Sequence, residues 1–202
     1  MKNWTPLLIA AALLALASGC GSTKPSQFYL LQPMAQPDAE SVSEPSGPLL
    51  LGPVRVAAYL RRPQLVQRVS ADEVTLSERH RWAAPFDDGI TETLQENLLV
   101  LLPELEIIPL RNAVRTSKMP RLEVDIIRLD GKAGETAVLL ARWRILDADR
   151  QEMGAELSEL SVAVEDGTHG SLVAAQSRLL ADFSRELAAA LETHLSDAGA
   201  AP

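Results

Sequence analysis

A short apolar run that leads to the chain's only cysteine separates the N-terminus from the rest of the sequence. Lys2 precedes the run, which spans 7–17, and Ser18-Gly19 lead into Cys20. Such a run forms a helix of roughly 16 Å, too short for the ~30 Å hydrocarbon core of a bilayer. A positive residue, an apolar run and small residues before a cut are typical of a secretion signal. We therefore predict a signal peptide over 1–19, whose removal leaves 183 of the 202 residues to fold.

The residues before Cys20 resemble the lipobox of bacterial lipoproteins, although Ala17 occupies a position where leucine is commoner. The resemblance implies a diacylglyceryl thioether on Cys20 and an acyl chain on its amine, and we predict no other cofactor. Two or more chains anchor a protein stably, at about 0.8 kcal/mol per buried methylene. An ordinary secretion signal and a retained membrane helix are the alternatives, but neither explains the position of the single cysteine. Gly21, where inner-membrane lipoproteins of Gram-negative bacteria have Asp, favours the outer membrane by resemblance to that sorting rule.

The charge of the chain argues against nucleic acid as a partner. The formal net charge is −8, and loss of Lys2 with the signal leaves 18 basic residues against 27 acidic ones. Such an excess of acidic residues argues against nonspecific binding to nucleic acid or to anionic headgroups, because that binding needs clustered Lys and Arg. Membrane attachment is therefore expected through the Cys20 lipid.

The sequence is organised as one domain behind a tether. Residues 20–27 are small and polar and form the lipidated N-terminus and tether, and 28–197 are long enough for a single core. Within that domain, 32–48 is rich in Pro, Ser, Glu and Gly, which predicts a flexible loop. The last residues, 198–202, are predicted to be a frayed tail.

The hydrophobic spacing predicts a mixture of strands and two long helices. The predicted strands are 28–31, 49–58, 65–69, 74–76, 105–110, 122–129, 136–146 and 157–164, and the predicted helices are 87–102 and 171–196. The last three strands read as an antiparallel meander. We predict an α/β domain, with α+β as the alternative, in which both helices pack on a mixed β-sheet.

No residue pattern indicates catalysis. The three histidines, His80, His169 and His194, lack metal-ligand spacing, and neither a nucleophile elbow nor a phosphate-binding glycine loop is present. The pair Asp87-Asp88 is better explained by stabilisation of a helix start than by acid–base chemistry. We predict no catalytic, metal-binding or cofactor-binding residues and no enzymatic activity.

Two clusters combine arginine with aromatic residues and proline in a chain with only 4% aromatic residues. They lie within 59–66 and 79–86, and their candidate partner-contact residues are Arg61, Arg62, Arg81, Trp82 and Phe86. Exposed Arg and Trp are enriched at the centres of protein interfaces. The alternative, which we weigh equally, is that Trp82 is buried and the arginines pair with nearby carboxylates.

The order of these motifs resembles the ABC-type transport auxiliary lipoprotein family of the PqiC/YmbA type. The resemblance rests on short motifs spread over the chain, namely Phe28-Tyr29-Leu30-Leu31, Gly52 to Val56, Tyr59 to Arg68, Arg81 to Phe86 and Leu172 to Ser177. The chain departs from the family at Ala84-Pro85-Phe86, where Glu-Pro-Leu is commoner. Together the motifs cover essentially the whole chain after Cys20.

The resemblance implies a mixed-sheet fold like that of anticodon-binding domains, without their RNA function. It implies a periplasm-facing lipoprotein that works with an MCE-domain protein in an envelope lipid-transport system. In that role it would dock or stabilise the transport assembly at the outer membrane and support membrane integrity. A second copy of the chain is a further candidate partner, and a periplasmic lipid-binding carrier is the alternative function.

Overall fold

The computed structural model describes residues 25–35, 45–112 and 118–199. The predicted signal peptide, Cys20 and most of the predicted tail lie outside the described residues. Neither helix of the described chain is long and apolar enough to cross a membrane.

Over these described ranges the domain has eight strands and two helices. In chain order they are β1 (Gln27–Tyr29), β2 (Gly47–Val56), β3 (Gln64–Arg68), β4 (Val74–Trp82), α1 (Phe86–Leu101), β5 (Leu105–Pro109), β6 (Arg121–Gly131), β7 (Thr136–Leu146), β8 (Glu152–Ala163) and α2 (His169–Gly199). A single turn of 3-10 helix, Leu110–Asn112, follows β5. The α/β class, with mixed pairing and two main helices, is confirmed.

The strands are divided between two sheets, whereas the sequence predicted one. The larger sheet has the order β5-β2-β6-β7-β8, and the smaller one has the order β1-β4-β3. In the larger sheet β2 runs parallel to both neighbours, and β6, β7 and β8 form the predicted antiparallel meander. In the smaller sheet β1 pairs in parallel with the end of β4, so the β3–β4 hairpin joins β1 and not β2.

The helices bury the apolar stripes that their spacing predicts. In α1, Ile90, Leu94 and Leu98 are completely buried, and in α2, Leu179 and Phe183 are completely buried. Both helices contact the larger sheet and each other. Helix α1 begins at Phe86 after Pro85, and α2 runs from His169 to Gly199, three residues past the predicted end.

Two boundaries differ from the prediction. The strand predicted at 74–76 continues to Trp82, because 80–82 pair with β1 and Arg81 pairs with Gln64. The predicted flexible loop 32–48 is ordered at both ends, since β2 begins at Gly47 and the backbone N–H groups of Gln32 and Met34 donate hydrogen bonds to the helices. The middle of that loop, 36–44, lies outside the described residues.

Candidate functional site

The two arginine–aromatic clusters meet at one cleft. Its volume is about 640 Å³. The cleft is lined by Ala58, Arg61, Arg62, Pro63, Trp82, Ala83, Ala84, Pro85, Phe86 and Asp87. It forms where the loop before β3 approaches the end of β4 and the start of α1. A hydrogen bond of 2.8 Å from the Trp82 backbone N–H to the Pro63 carbonyl joins the two segments.

An aromatic pair forms the inner wall of this cleft. The rings of Trp82 and Phe86 stack with centroids 4.4 Å apart and planes 20° from parallel. Trp82 is 7% exposed and Phe86 3% exposed, so most of each ring belongs to the core. The interpretation that Trp82 is buried is therefore confirmed, and Trp82 is at the same time one of the residues that line the cleft.

Two arginines at the cleft have no carboxylate partner among the residues that the structure describes. Arg61 and Arg62 are exposed, and neither forms a salt bridge or a side-chain hydrogen bond with any described residue. By contrast, eight other arginines of the described chain form salt bridges. The alternative that the arginines pair with nearby carboxylates therefore does not hold for Arg61 and Arg62 within the described residues. Their charge is available to a ligand or a partner.

Arg81 does not line the cleft. Side chains alternate along a strand, so Arg81 lies on the face of β4 opposite to Trp82. There it pairs in register with Phe28 of β1. The structure thus gathers Arg61, Arg62, Trp82 and Phe86 at one site and places Arg81 on a different surface.

A buried carboxylate that the sequence analysis missed holds one side of the cleft in place. Asp130 is completely buried on β6. It accepts hydrogen bonds from the Tyr59 hydroxyl at 2.6 Å, from Arg68 at 2.8 and 2.9 Å, and from Arg128 at 2.8 Å. Because Tyr59 and Arg68 flank Arg61 and Arg62, this network fastens the cleft loop to the larger sheet. An Asp followed by Gly is typical of the start of a turn, so no local sequence signal indicated that Asp130 is buried.

The network changes the ionisation of its members. Burial, together with the neighbouring Asp130 carboxylate, raises the pKa of Tyr59 to about 12. Burial alone would raise the pKa of Asp130, but hydrogen bonds from Arg68, Tyr59 and Arg128 outweigh it and hold that pKa below its usual range. Tyr59 is therefore a neutral donor and Asp130 an anion at neutral pH.

Two histidines meet on the inner face of the smaller sheet. The rings of His80 on β4 and His169 at the start of α2 stack with centroids 3.8 Å apart and planes 4° from parallel. The Tyr29 hydroxyl donates its hydrogen to Gln27 Oε1 and lies 2.8 Å from His80 Nδ1. We therefore place a proton on His80 Nδ1, which donates to the hydroxyl oxygen. Across the described ranges no three metal-ligating side chains come close enough together to hold an ion.

Comparison with known proteins defines the class. The family model for the ABC-type transport auxiliary lipoprotein component matches residues 29–188. The chain belongs to this family. The match includes both cleft segments, the whole of α1 and α2 as far as residue 188.

Individual relatives agree with this assignment. The chain is 28% identical to the intermembrane transport lipoprotein PqiC of Escherichia coli over 146 residues, which cover 71% of this chain and 73% of that protein. The PqiC of Shigella flexneri matches equally well. The fold resembles a crystal structure of a Xanthomonas campestris protein, with a TM-score of 0.71 at 17% identity over 86% of this chain and 99% of that one. A second crystal structure, of an uncharacterized protein, has a TM-score of 0.69 at 18% identity over 83% and 99% of the two chains.

Proposed function

We propose that this protein is a non-enzymatic, lipid-anchored subunit of an envelope system that carries lipids between membranes. Cys20 holds it at the outer membrane, facing the periplasm, and an MCE-domain protein docks at the arginine–aromatic cleft. The observation that carries the docking role is the convergence of two separate sequence clusters on one cleft with unpaired arginines. Family membership and the likeness to an intermembrane transport lipoprotein support the wider role.

The cleft suits a protein partner for physical reasons. Arg61 and Arg62 supply cations to a cleft that the aromatic pair also lines, and arginine and tryptophan dominate the energetics of many interfaces. Two cations at the cleft attract an acidic segment of a partner and repel a basic one. An acidic segment would be repelled elsewhere on this chain, which is acidic as a whole, so the cleft is its favoured docking site.

The packing between helices and sheet does not favour the alternative of a lipid-binding carrier. That space is occupied by completely buried side chains, among them Leu94, Leu122, Leu139, Leu179 and Phe183. A carrier would need to enclose acyl chains there, and a core packed in this way would have to open first.

The docking role is tested by charge reversal at the cleft. The full chain is purified from envelopes in mild detergent, and an MCE-domain protein is expected to copurify. Arg61→Glu with Arg62→Glu should abolish that recovery, whereas Arg142→Glu, at an exposed arginine of β7 without a salt bridge to a described residue, should not. Repeated absence of an MCE-domain protein from the native sample, or equal recovery with the double variant, contradicts the proposal.

The anchor is tested separately at Cys20. Cys20→Ala removes the thiol that would carry the lipid, so radiolabelled palmitate incorporation and membrane fractionation should both be lost. Cys20→Ser is the conservative control and should behave in the same way, because a hydroxyl cannot form the thioether. Undiminished labelling of either variant would show that the lipid is attached elsewhere.

A further inference from the structure

Two large apolar side chains lie exposed where the described chain begins. Phe28 is 65% exposed and Leu30 is 55% exposed. They are two residues apart in an extended segment and therefore share one side of it. Their neighbours confirm the alternation, since Tyr29 is half-buried against His80 and Leu31 is buried. Single exposed apolar residues are common on protein surfaces, but Phe28 in an edge strand and Leu30 just after it expose two large apolar side chains in the same direction.

Arginines of β4 lie close to these side chains. Arg81 pairs with Phe28 in the parallel register, and the exposed Arg79 lies two residues before it, in the stretch 78–80 where the register of β4 against β3 shifts. Neither arginine forms a salt bridge or a side-chain hydrogen bond within the described part of the chain. We call Phe28, Leu30, Arg79 and Arg81 the β1 face. It combines apolar and cationic groups in an acidic protein, a combination that matches the boundary between acyl chains and anionic headgroups.

The position of this face in the chain limits its distance from the anchor. Eight residue steps separate Cys20 from Phe28. An extended chain covers at most about 3.6 Å per residue, so the two are within about 29 Å however the intervening residues are arranged. A contact made within so short a tether has an effective concentration on the order of millimolar, and a weak attraction is then sufficient.

We propose that the β1 face rests on the bilayer that holds the Cys20 lipid. Phe28 and Leu30 insert at the acyl–headgroup boundary, and Arg79 and Arg81 bind lipid phosphates. The inference rests on the proposed lipidation of Cys20. It adds that the domain has a fixed orientation on the membrane. The cleft, whose lining includes Trp82 directly after Arg81, would then lie near the membrane.

A tryptophan reporter tests this contact in the lipidated full-length protein. Phe28→Trp is reconstituted into vesicles of equal parts phosphatidylethanolamine and phosphatidylglycerol, with and without doxyl-labelled lipid. The native chain supplies the background from Trp82 and Trp143. The added emission of Phe28→Trp should be lost to the doxyl label. The matched control is Leu157→Trp on β8, where Leu157 is 52% exposed, and its emission should persist.

A second arm tests the arginines. Arg79→Glu with Arg81→Glu, combined with Phe28→Trp, should reduce the quenching, whereas Arg142→Glu in the same background should leave it unchanged. Equal quenching in both backgrounds would contradict the role of the arginines in binding lipid phosphates.

The outcomes separate this proposal from the anchor. Vesicle flotation reports the anchor, so loss of flotation in the native chain overturns the lipidation of Cys20 and the inference with it. Flotation without quenching of Phe28→Trp overturns the inference and leaves the anchor intact. Protection of Phe28→Trp from aqueous iodide without doxyl quenching also overturns it, because a protein partner or a second copy would then cover the face.

Discussion

At the scale of single residues, the polar groups inside the domain do different work from those on its surface. Asp130 is completely buried and accepts hydrogen bonds from three side chains: Arg128 on β6, Arg68 on β3 and Tyr59 in the loop before β3. Arg61 and Arg62 are exposed and join no described side chain. Buried charges require partners, whereas exposed ones can be left for a ligand. This difference separates the arginines that hold the fold from those at the cleft.

Replacement of Asp130 tests the buried network. Asp130→Asn keeps the shape but leaves Arg68 and Arg128 facing a neutral amide. Removal of one partner from a buried pair costs about 3–5 kcal/mol, and we expect the lower end because both arginines keep some exposure. Urea unfolding measures the change. Asp125→Asn is the control, since its pair with Arg55 is exposed and is worth at most about 1 kcal/mol. Equal losses in the two variants would argue against a stabilising network.

His169 gives the folding free energy a pH dependence. Burial and the adjacent His80 ring lower the pKa of His169 from its ordinary value of 6.5. Below pH 6.5 His169 therefore binds a proton more readily in the unfolded chain than in the folded chain. The free energy of unfolding keeps its full value above pH 6.5 and decreases as the pH falls below it. His169→Phe keeps a flat ring against His80 without the proton site. Urea unfolding at a series of pH values should show a shallower decline for this variant, and identical slopes would contradict the assignment.

At the scale of elements, periodic segments were predicted well and their ends less well. The alternation along 136–146 defines β7 with the same bounds. Leu94 and Leu98 of α1 and Leu179, Leu187 and Leu191 of α2 are completely buried, as their spacing requires. The sequence analysis missed the end of β4 because Arg79, His80 and Arg81 are all polar, so this stretch lacks the apolar alternation that predicts a strand. Its strand state depends on pairing with β1, a segment about fifty residues away in sequence.

Gly131 tests the close approach of two strands. A Cβ at this position would lie 2.5 Å from the Thr136 carbonyl oxygen and from Ala137 Cα, both in the backbone of β7. Gly131→Ala should therefore lower the free energy of unfolding by about 1–3 kcal/mol, the usual cost of overpacking. Gly167→Ala is the control, because nothing lies within 4 Å of its Cβ, and it should cause no loss. Chemical denaturation of both variants decides the point.

At the scale of the whole molecule, one apolar core joins the larger sheet, both helices and the inner face of the smaller sheet. The segment 32–34 is fixed across the helices, because Met34 N–H donates to Asn97 of α1 and Gln32 N–H donates to Ser177 of α2. The chain that leads from the proposed anchor is thus fastened to the core directly after β1. The β1 face and the cleft are therefore both attached to the same core.

Two phenylalanines distinguish core packing from surface chemistry. Phe183→Ala empties a completely buried site on α2 and should cost about 3–5 kcal/mol. Phe28→Ala removes a ring that is 65% exposed and should change stability by no more than about 0.5 kcal/mol. Thermal or urea unfolding measures both. A large loss for Phe28→Ala would mean that the ring serves folding, which would weaken its assignment to the membrane.

The sequence by itself determined the helices, the strands of the meander and the family, because each depends on a pattern within one segment or on motifs in order. It also indicated the two clusters from which Arg61, Arg62, Trp82 and Phe86 come. Only the tertiary structure decided that these four residues share a cleft and that Arg81 does not. It alone showed that the strands form two sheets and that Asp130 is a buried anion. The physical reason is that periodicity reports which face of its own element a side chain occupies. Strand pairing and the burial of a single charge instead depend on partners 62 to 71 residues away, as between Asp130 and Arg68 or Tyr59.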